Sequence, residues 1–516
     1  MKAGQDGALD HHGELLPELS KSASKMNYQA LLEAPLPKYE GNYPGDPLFT
    51  ELGYFFLRRT MSSMFRTFEV TGTEKIPNDR GTLCAAWHTN GLVDPFSILL
   101  THSKKFVVGG RHDLVTRPVL GFWARKFALQ PVVRKAELLR GGCSEEDALR
   151  LNGRSLLNLA TGISHGFGCA LFPEGTSHSE SHLIRLRTGP MRTVLAAAAH
   201  AKANDKNLPV IMPIGLHFRK RHLFRTDCWV EYTDPIEILA DDLPADLVEA
   251  VKLGDWKEPP AESVIKLRDI VEERLTPLTP NRDTFSEVYR DGVIAHVKNR
   301  ISGDPKMTWR EEVLANRKLK SEPESEEVQV IATRIGDTLD QASLDGRDIN
   351  SKGDGLRFAS PLGTIVNLLK LVPMLAFLPT ILLGLFPQMA IGRILGDNTD
   401  EGLDARTSYQ FLAGMFGSMG LWPILATVGI ILGAIFSEEI DASFGIIWTD
   451  ALGTGIVSIV AMYIIAWLGL ILLFWISAKS FVIGWDSISD FSRFMRRRKT
   501  KSKVADDLLE LHKLLL

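Results

Sequence analysis

Trp87-His88-Thr89-Asn90-Gly91-Leu92-Val93-Asp94-Pro95 is the stretch on which the reading of this chain turns. The residues before it, Cys84-Ala85-Ala86, continue into Trp87 as an apolar run of strand type, so His88 sits where a buried strand emerges. Asp94-Pro95 has the form of a helix start, with Asp as N-cap and Pro at the first helical position. Strand, turn and helix in that order make a β-α unit. A second unit lies downstream, where residues 168–171 read as a strand and lead into Phe172-Pro173-Glu174-Gly175-Thr176.

Outward from these two turns, residues 69–235 alternate short apolar runs with amphipathic stretches. Strands are predicted at 82–87, 106–109, 129–134, 168–172, 209–216 and 228–233, and helices at 95–102, 117–127, 144–164 and 188–204. The alternation predicts an α/β domain over 69–240, its sheet mixed, largely buried and flanked by helices. Both chemical turns fall at strand ends, where such folds place ligands. Residues 46–68 space large apolar side chains at helical intervals with Arg58, Arg59 and Arg66 among them. They predict an amphipathic, membrane-proximal helix, either packed on the domain or lying at a bilayer surface with snorkelling arginines.

The polar, acidic residues 1–45 read as a flexible leader without a signal peptide. Residues 241–355 are charged and helical in pattern and read as a connector, with a mobile tract near Ser321–Glu327. Residues 356–480 change character and read as a membrane domain. Runs 408–436 and 451–478 are free of charge and long enough to span. Run 371–392 carries Pro373, Pro379 and Pro387, which suits a re-entrant segment better than a straight span, with three full spans as the rival. The 437–450 loop has acids and no Lys or Arg, whereas 481–516 holds Arg493, Arg496, Arg497, Arg498 and Lys499. The positive-inside rule then puts the tail and the 393–407 loop on the cytoplasmic face, with the 437–450 tip outside, and a re-entrant first run keeps the catalytic domain on the cytoplasmic face as well.

Bulk composition removes several classes. At 516 residues more than one domain is expected, and a net charge of -3 gives no basic surplus for nucleic acid. The four cysteines, Cys84, Cys143, Cys169 and Cys228, lack metal-ligand spacing and fit a reducing compartment. His178, Glu180 and His182 have a Ser-rich setting that argues against a metal.

The histidine and aspartate carry the chemistry. A substrate hydroxyl at neutral pH needs a base as it attacks an acyl group, and His88 is placed to serve. Asp94 would hold the second ring nitrogen and stabilise the imidazolium. The bland alternatives are a structural histidine and a helix cap. Gly175 permits a tight turn, Glu174 offers an acceptor to a substrate hydroxyl, and Thr176 braces the turn. Arg111, Arg134, Arg185 and Arg187 supply forked donors of the kind a phosphate takes, or else a solvated basic face. Residues 208–216, through Pro213, read as a buried strand that floors an acyl slot or is plain core.

These blocks, in this order, resemble the glycerolipid acyltransferase superfamily. The family's first block has four residues between His and Asp, and this chain has five between His88 and Asp94. That spacing, with Asn90 and the Val-Asp-Pro ending, resembles the fungal-type glycerol-3-phosphate/dihydroxyacetone-phosphate acyltransferase branch. The second block looks like Gly121 through Arg134, and the third is 172–176, followed here by Ser177-His178 where the family often has Arg. Arg187 ahead of Gly189 matches a later basic position, and the fourth block runs through Pro213. The resemblance implies acyl transfer from acyl-CoA or acyl carrier protein to the sn-1 hydroxyl of glycerol 3-phosphate or dihydroxyacetone phosphate, giving lysophosphatidate or its keto analogue. It implies His88 as base and Asp94 as its partner. Glu174, Gly175 and Thr176 would shape the acceptor pocket, Arg134 and Arg187 would hold the phosphate, and Pro213 in the fourth block would be a further substrate-binding residue. Acyl-CoA is then a co-substrate, and the chemistry requires no metal or other cofactor. A lysophospholipid acyltransferase and a non-catalytic membrane scaffold of the same fold are the rival readings.

Overall fold

The computed structural model describes residues 26–133, 137, 144–304, 306–358, 360–399, 402–436 and 455–516. Its centre is a sheet of β1 (Phe65–Thr71), β2 (Thr82–Ala86), β5 (Gly168–Ala170), β6 (Val210–Phe218), β7 (Thr226–Tyr232) and the two-residue β8 (Ile236–Glu237). The order is β1-β7-β6-β2-β5, and β8 pairs antiparallel with the start of β6, at Val210 and Ile211, while β7 pairs with its end. β2 runs parallel to both β5 and β6, and β1 parallel to β7, while β6 and β7 are antiparallel. The sheet is therefore mixed. A short pair, β3 (Gly109–Arg111) and β4 (Gln130–Val132), lies apart.

Every residue of β2 is buried, because helices cover both faces. Leu83 and Ala85 point to one side, into a core with Leu159, Ile163 and the alanine-rich Gly189–Ala203 helix. Cys84 and Ala86 point to the other, toward Ile98, Tyr232 and Phe411. The predicted helices at 95–102, 144–164 and 188–204 are present as Val93–Thr101, Glu145–Ser164 and Gly189–Ala203. The 117–127 helix is present as Pro118–Lys126. Strand 106–109 is displaced: only Phe106 bridges Gly168, and β3 starts at Gly109.

The amphipathic helix at 46–68 ends earlier than expected. It covers Pro47–Met64, capped by Asp46, and residues 65–68 already belong to β1. The reason is the partner strand: Phe68, Val70 and Thr71 lie opposite β7, and β-branched and aromatic residues suit that surface. The helix buries Gly53, Tyr54, Leu57 and Met61, while Leu48 and Phe55 are exposed.

Stretch 241–355 packs in two places. Ala245–Lys252 and Ala261–Leu275 bury Leu247, Val251, Leu267 and Val271 in the same core as β2. Phe285–Ile301, Trp309–Ser321 and Glu326–Gln341 form a helical layer with its own core. Buried Glu312 ties this layer to β6 through Arg219 and to His296 at 2.9 Å. Burial raises the Glu312 carboxyl, but Arg219 and His296 outweigh it and hold it at about 2.

Among the described residues, two helices are long and apolar enough to cross a membrane: Ala405–Ile435, within Leu403–Ile435, and Ile456–Leu515. The second is one unbroken helix of 60 residues, about 90 Å at 1.5 Å per residue, so the expected span and tail are continuous. Its far end buries Val504, Leu508 and Leu511 in the core of the helical layer. The expected 437–450 loop lies outside the described residues.

The proline-rich run is a chain of short helices, Pro361–Leu369, Leu371–Ala376, Leu378–Gly384 and Phe386–Asp397. Pro379 and Pro387 each fall at the second residue of a helix, where the missing N–H costs nothing. The axis bends by 63° between Ala376 and Leu378. Asn367 bonds Ser487, Thr380 bonds Ser477, and Gly384 lies on Phe474, so the run descends along the long helix. A Cβ on Gly384 would come 2.4 Å from the Phe474 ring. The carbonyl of Gly384 accepts from Trp422 Nε1 at 2.9 Å, and Gly396 then lies against Arg406. The chain thus goes down and comes back over roughly 20 Å.

The tail of the long helix is held by Asp348, which is fully buried between Arg493 and Arg497, the latter at 2.6 Å. Removing one partner of a buried ion pair strands the other charges and costs about 3–5 kcal/mol. Asp348→Ala is expected to lower the detergent-solubilised thermal midpoint by several degrees and to open residues 490–516 to limited proteolysis. A midpoint and cleavage pattern like those of the parent would mean that the tail is held by its apolar contacts alone.

Candidate active site

Parallel pairing of β2 with β5 decides which loops meet. Thr82 lies opposite Gly168 and Cys84 opposite Ala170. Continuing that register beyond the strand ends brings His88 level with Glu174. The bond is there: the His88 backbone N–H donates to Glu174 Oε2 at 2.7 Å. The other oxygen, Oε1, accepts from Ile184 N–H at 3.0 Å and lies 2.7 Å from His178 Nε2. Glu174 is 1% exposed and both its oxygens are engaged. It therefore braces the histidine loop from behind and is not an open acceptor for a substrate hydroxyl.

His88 Nδ1 lies 2.9 Å from Asp94 Oδ2. The same oxygen accepts the N–H groups of Thr89 and Asn90, each at 2.8 Å. Asp94 is fully buried, and it is the second residue of the Val93–Thr101 helix rather than its N-cap. Leu92 occupies the cap position without a side-chain bond. The carboxylate thus caps the turn before the helix and the imidazole together. Because a carboxylate only accepts, a neutral imidazole here carries its proton on Nδ1 and leaves Nε2 as its accepting nitrogen. Phe172 stacks on the imidazole at 4.1 Å, and the side chain remains 17% exposed. An imidazole held in this way can act as a general base.

Gly175 has φ +74°, the left-handed conformation that its turn needs. Its N–H is spent inside the turn, on Phe172 O at 3.1 Å. Arg187 is brought to this turn by its own backbone, which donates to Pro173 O at 2.6 Å, and its Cγ would lie 3.2 Å from a Cβ on Gly175. Among the described residues, Thr176 Oγ1 bonds locally, to Ser177 O. Pro213 lies elsewhere: it is inside β6 opposite Ala85, and its carbonyl is taken by Thr233. It belongs to the sheet interior, not to the mouth of the site. Arg134 lies outside the described residues. Arg111 makes a forked pair with Asp113 at 2.9 and 2.8 Å.

Two residues of the site come from far along the chain. Ser408 Oγ accepts from Leu92 N–H at 2.9 Å, and Thr407 Oγ1 donates to Asn90 Oδ1. Both lie in the first turns of the Leu403–Ile435 helix, which also seats Phe411 on Phe96 at 5.3 Å. No spacing in the sequence links them to His88. The only hint is a pair of adjacent hydroxyls at the polar end of an apolar run.

Residues 67–216 match the family described as Acyltransferase. The chain is 30% identical over 152 residues to glycerol-3-phosphate O-acyltransferase 2 of Saccharomyces cerevisiae, covering 29% of this chain and 18% of that protein. It is 34% identical over 76 residues to glycerol-3-phosphate O-acyltransferase 1 of the same yeast, covering 15% and 10%. The matched stretches span less than a fifth of either relative. Among solved structures it is similar to the 1-acyl-sn-glycerophosphate acyltransferase PlsC from Thermotoga maritima. That similarity has 18% identity and a TM-score of 0.27 over 43% of this chain and 79% of that one.

The bonds from the apolar helix to the histidine loop generate a prediction. Thr407→Val keeps the shape and removes the donor to Asn90. Ser408→Ala leaves the Leu92 N–H without its acceptor, at a cost of about 1–3 kcal/mol. Either change is expected to lower kcat roughly tenfold with little change in KM, tenfold being about 1.4 kcal/mol. Thr407→Ser should restore the rate. Steady-state kinetics on the three variants decide the matter, and a parental kcat for Thr407→Val would show that the helix leaves the loop alone.

Proposed function

We propose that the chain is a membrane-bound acyltransferase. It moves a fatty acyl group from an acyl-CoA thioester to the primary hydroxyl of glycerol 3-phosphate or dihydroxyacetone phosphate. The observation that carries this reading is the His88–Asp94 contact of 2.9 Å inside a domain of the acyltransferase family. The two partial yeast relatives favour the three-carbon phosphate as acceptor.

In this mechanism His88 Nε2 takes the proton of the acceptor hydroxyl as its oxygen attacks the thioester carbon. A C–O bond forms and a tetrahedral intermediate results. Its collapse breaks the C–S bond, and the imidazolium returns the proton to the departing thiolate. Asp94 acts as the positioning residue: it keeps Nδ1 protonated and lowers the energy of the imidazolium. Arg187, at the Gly175 turn, is assigned to the acceptor phosphate, and the expectation for Arg134 is the same. No enzyme nucleophile and no metal enters these steps.

The topology follows from the same reading. Helices 403–435 and 456–515 both leave the catalytic domain and run apolar and exposed, with Ile431 53% and Ile456 82% accessible. They form a two-span hairpin, and the 361–397 run dips into the bilayer beside them and returns. The tail beyond Lys479 lies on the catalytic side, where Asp486 pairs with Arg225 at 2.7 Å and Asp490 with Arg66 at 2.7 Å.

Two experiments test this. His88→Ala is expected to lower acyl transfer by roughly 10²–10⁴ with folding intact. Asp94→Asn keeps an acceptor for the turn amides but loses the charge, and a fall of similar size is expected. The assay follows release of free coenzyme A from palmitoyl-CoA against a panel of acceptors, including lysophospholipids. Activity above about half of the parental rate in His88→Ala would end the general-base assignment. For topology, single cysteines at Thr399, Phe436 and Ser502 in a cysteine-free background are probed with a membrane-impermeant thiol reagent on sealed vesicles. Thr399 and Ser502 should label from one side and Phe436 from the other. Opposite labelling of Thr399 and Ser502 would overturn the hairpin, and labelling of both from the side opposite to the catalytic domain would show three spans.

A further inference from the structure

A cavity of about 320 Å³ opens beside the histidine loop, and its wall includes Trp87 and Thr89, the residues on either side of His88. Apart from Ser179, the rest of the wall comes from beyond residues 67–216. It is built from the end of β6, the β6–β7 turn, Thr279–Arg282 and the helices Phe285–Ile301 and Trp309–Ser321. β6 runs parallel to β2 and reaches further, to Phe218, so the turn that follows overhangs the point where His88 emerges.

The lining is asymmetric in charge. Arg219, Lys220, Arg221, Arg282 and Arg317 face one carboxylate, Asp291. The acids that hold three of these cations stand behind the wall and do not line it. Asp227 and Glu312 pair with Arg219, Asp340 with Lys220, and Glu231 with Arg317. Arg282 pairs with Asp291 at 2.7 Å, and Arg221 donates to His178 O at 3.0 Å. The guanidinium planes are thus fixed before a ligand arrives, which reduces the ordering cost of binding. A second observation is independent of charge. Trp87 is 6% exposed, lines the cavity, and its Nε1 donor has no partner among the described residues. A buried donor without an acceptor costs free energy that a ligand oxygen would recover.

We propose that this cavity is a phosphate-recognition pocket that holds the phosphorylated end of a substrate beside His88. Its volume is at the small end for ligand sites, so it takes a small phosphate ester or one terminus of a larger donor, not a whole acyl-CoA. Phosphate is the ligand class because forked, pre-aligned cations and a neutral indole donor match its oxygens. The phosphate belongs either to the three-carbon acceptor or to coenzyme A, and the pocket is a recognition element that the helical layer adds to the family domain. The proposal rests on the acyl-transfer reading for its substrates, but not for its binding test.

Val288 lines the cavity, is half-buried and takes part in no ion pair, which makes it the site for a charge test. Full-length protein in detergent carries Val288→Glu or Val288→Gln. Calorimetric titration measures binding of glycerol 3-phosphate and of free coenzyme A, and kinetics give KM for each substrate. Val288→Glu is expected to weaken one of the two ligands by about tenfold or more while Val288→Gln stays within about threefold. The ligand affected identifies the source of the phosphate. Arg221→Gln should weaken the same ligand, and it carries the test if Val288→Glu does not fold. Unchanged binding of both ligands in Val288→Glu and Arg221→Gln, or an equal loss in Val288→Gln, would overturn the pocket. A parent protein that binds a phosphate ester in this way but releases no coenzyme A would keep the pocket and remove the acyl-transfer reading.

Discussion

One carboxylate oxygen, Asp94 Oδ2, receives the imidazole of His88 and the backbone N–H groups of Thr89 and Asn90. Three donors on one buried acceptor leave the turn between β2 and the Val93–Thr101 helix a single geometry. Its anchor points are on separate elements. Glu174, from the end of β5, takes the backbone of His88, and the Leu403–Ile435 helix takes Asn90 and Leu92. A charged group fully removed from water is costly unless such bonds surround it. The need to satisfy Asp94 therefore organises sheet, second loop and apolar helix around one ring.

The same logic explains what was legible in the sequence. Strands β2, β5, β6 and β7 and the helices around them stand out because burial on both faces leaves uninterrupted apolar runs and clear amphipathic ones. The His88–Asp94 pair and the Gly175 turn were visible for a related reason: they interrupt such runs at strand ends. β1 was hidden because Phe65–Phe68 continues the apolar rhythm of the preceding helix, and only pairing with β7 makes it a strand. Helices Ala245–Lys252 and Ala261–Leu275 looked like connector because their exposed faces carry dense charge, while a narrow stripe of Leu247, Val251, Leu267 and Val271 enters the core. Glu174 read as a substrate contact because its three partners are brought to it by strand register and by the fold of 178–184. Thr407 and Ser408 had no local signature, since their role exists only when the helix is docked.

The basic cluster of the tail has two physical duties. Read as a sequence it is a block of charge that resists translocation. In the fold, Arg493 and Arg497 are withdrawn from solvent by Asp345 and Asp348, while Arg498 and Lys499 stay outside. In the fold the arginines are the seam that joins the long helix to the helical layer.

That long helix has a mechanical consequence. A flexible linker between anchor and catalytic domain would give the active site a broad distribution of heights, widening as the square root of linker length. Ile456–Leu515 has no break in its 60 residues and is clamped at Asp486, Asp490, Asp348 and Leu508. It acts as a mast rather than a tether. In the membrane topology proposed above, the histidine would have one standoff from the plane of the lipid, and a change in bilayer thickness or in mast tilt would become a rigid displacement of the whole domain.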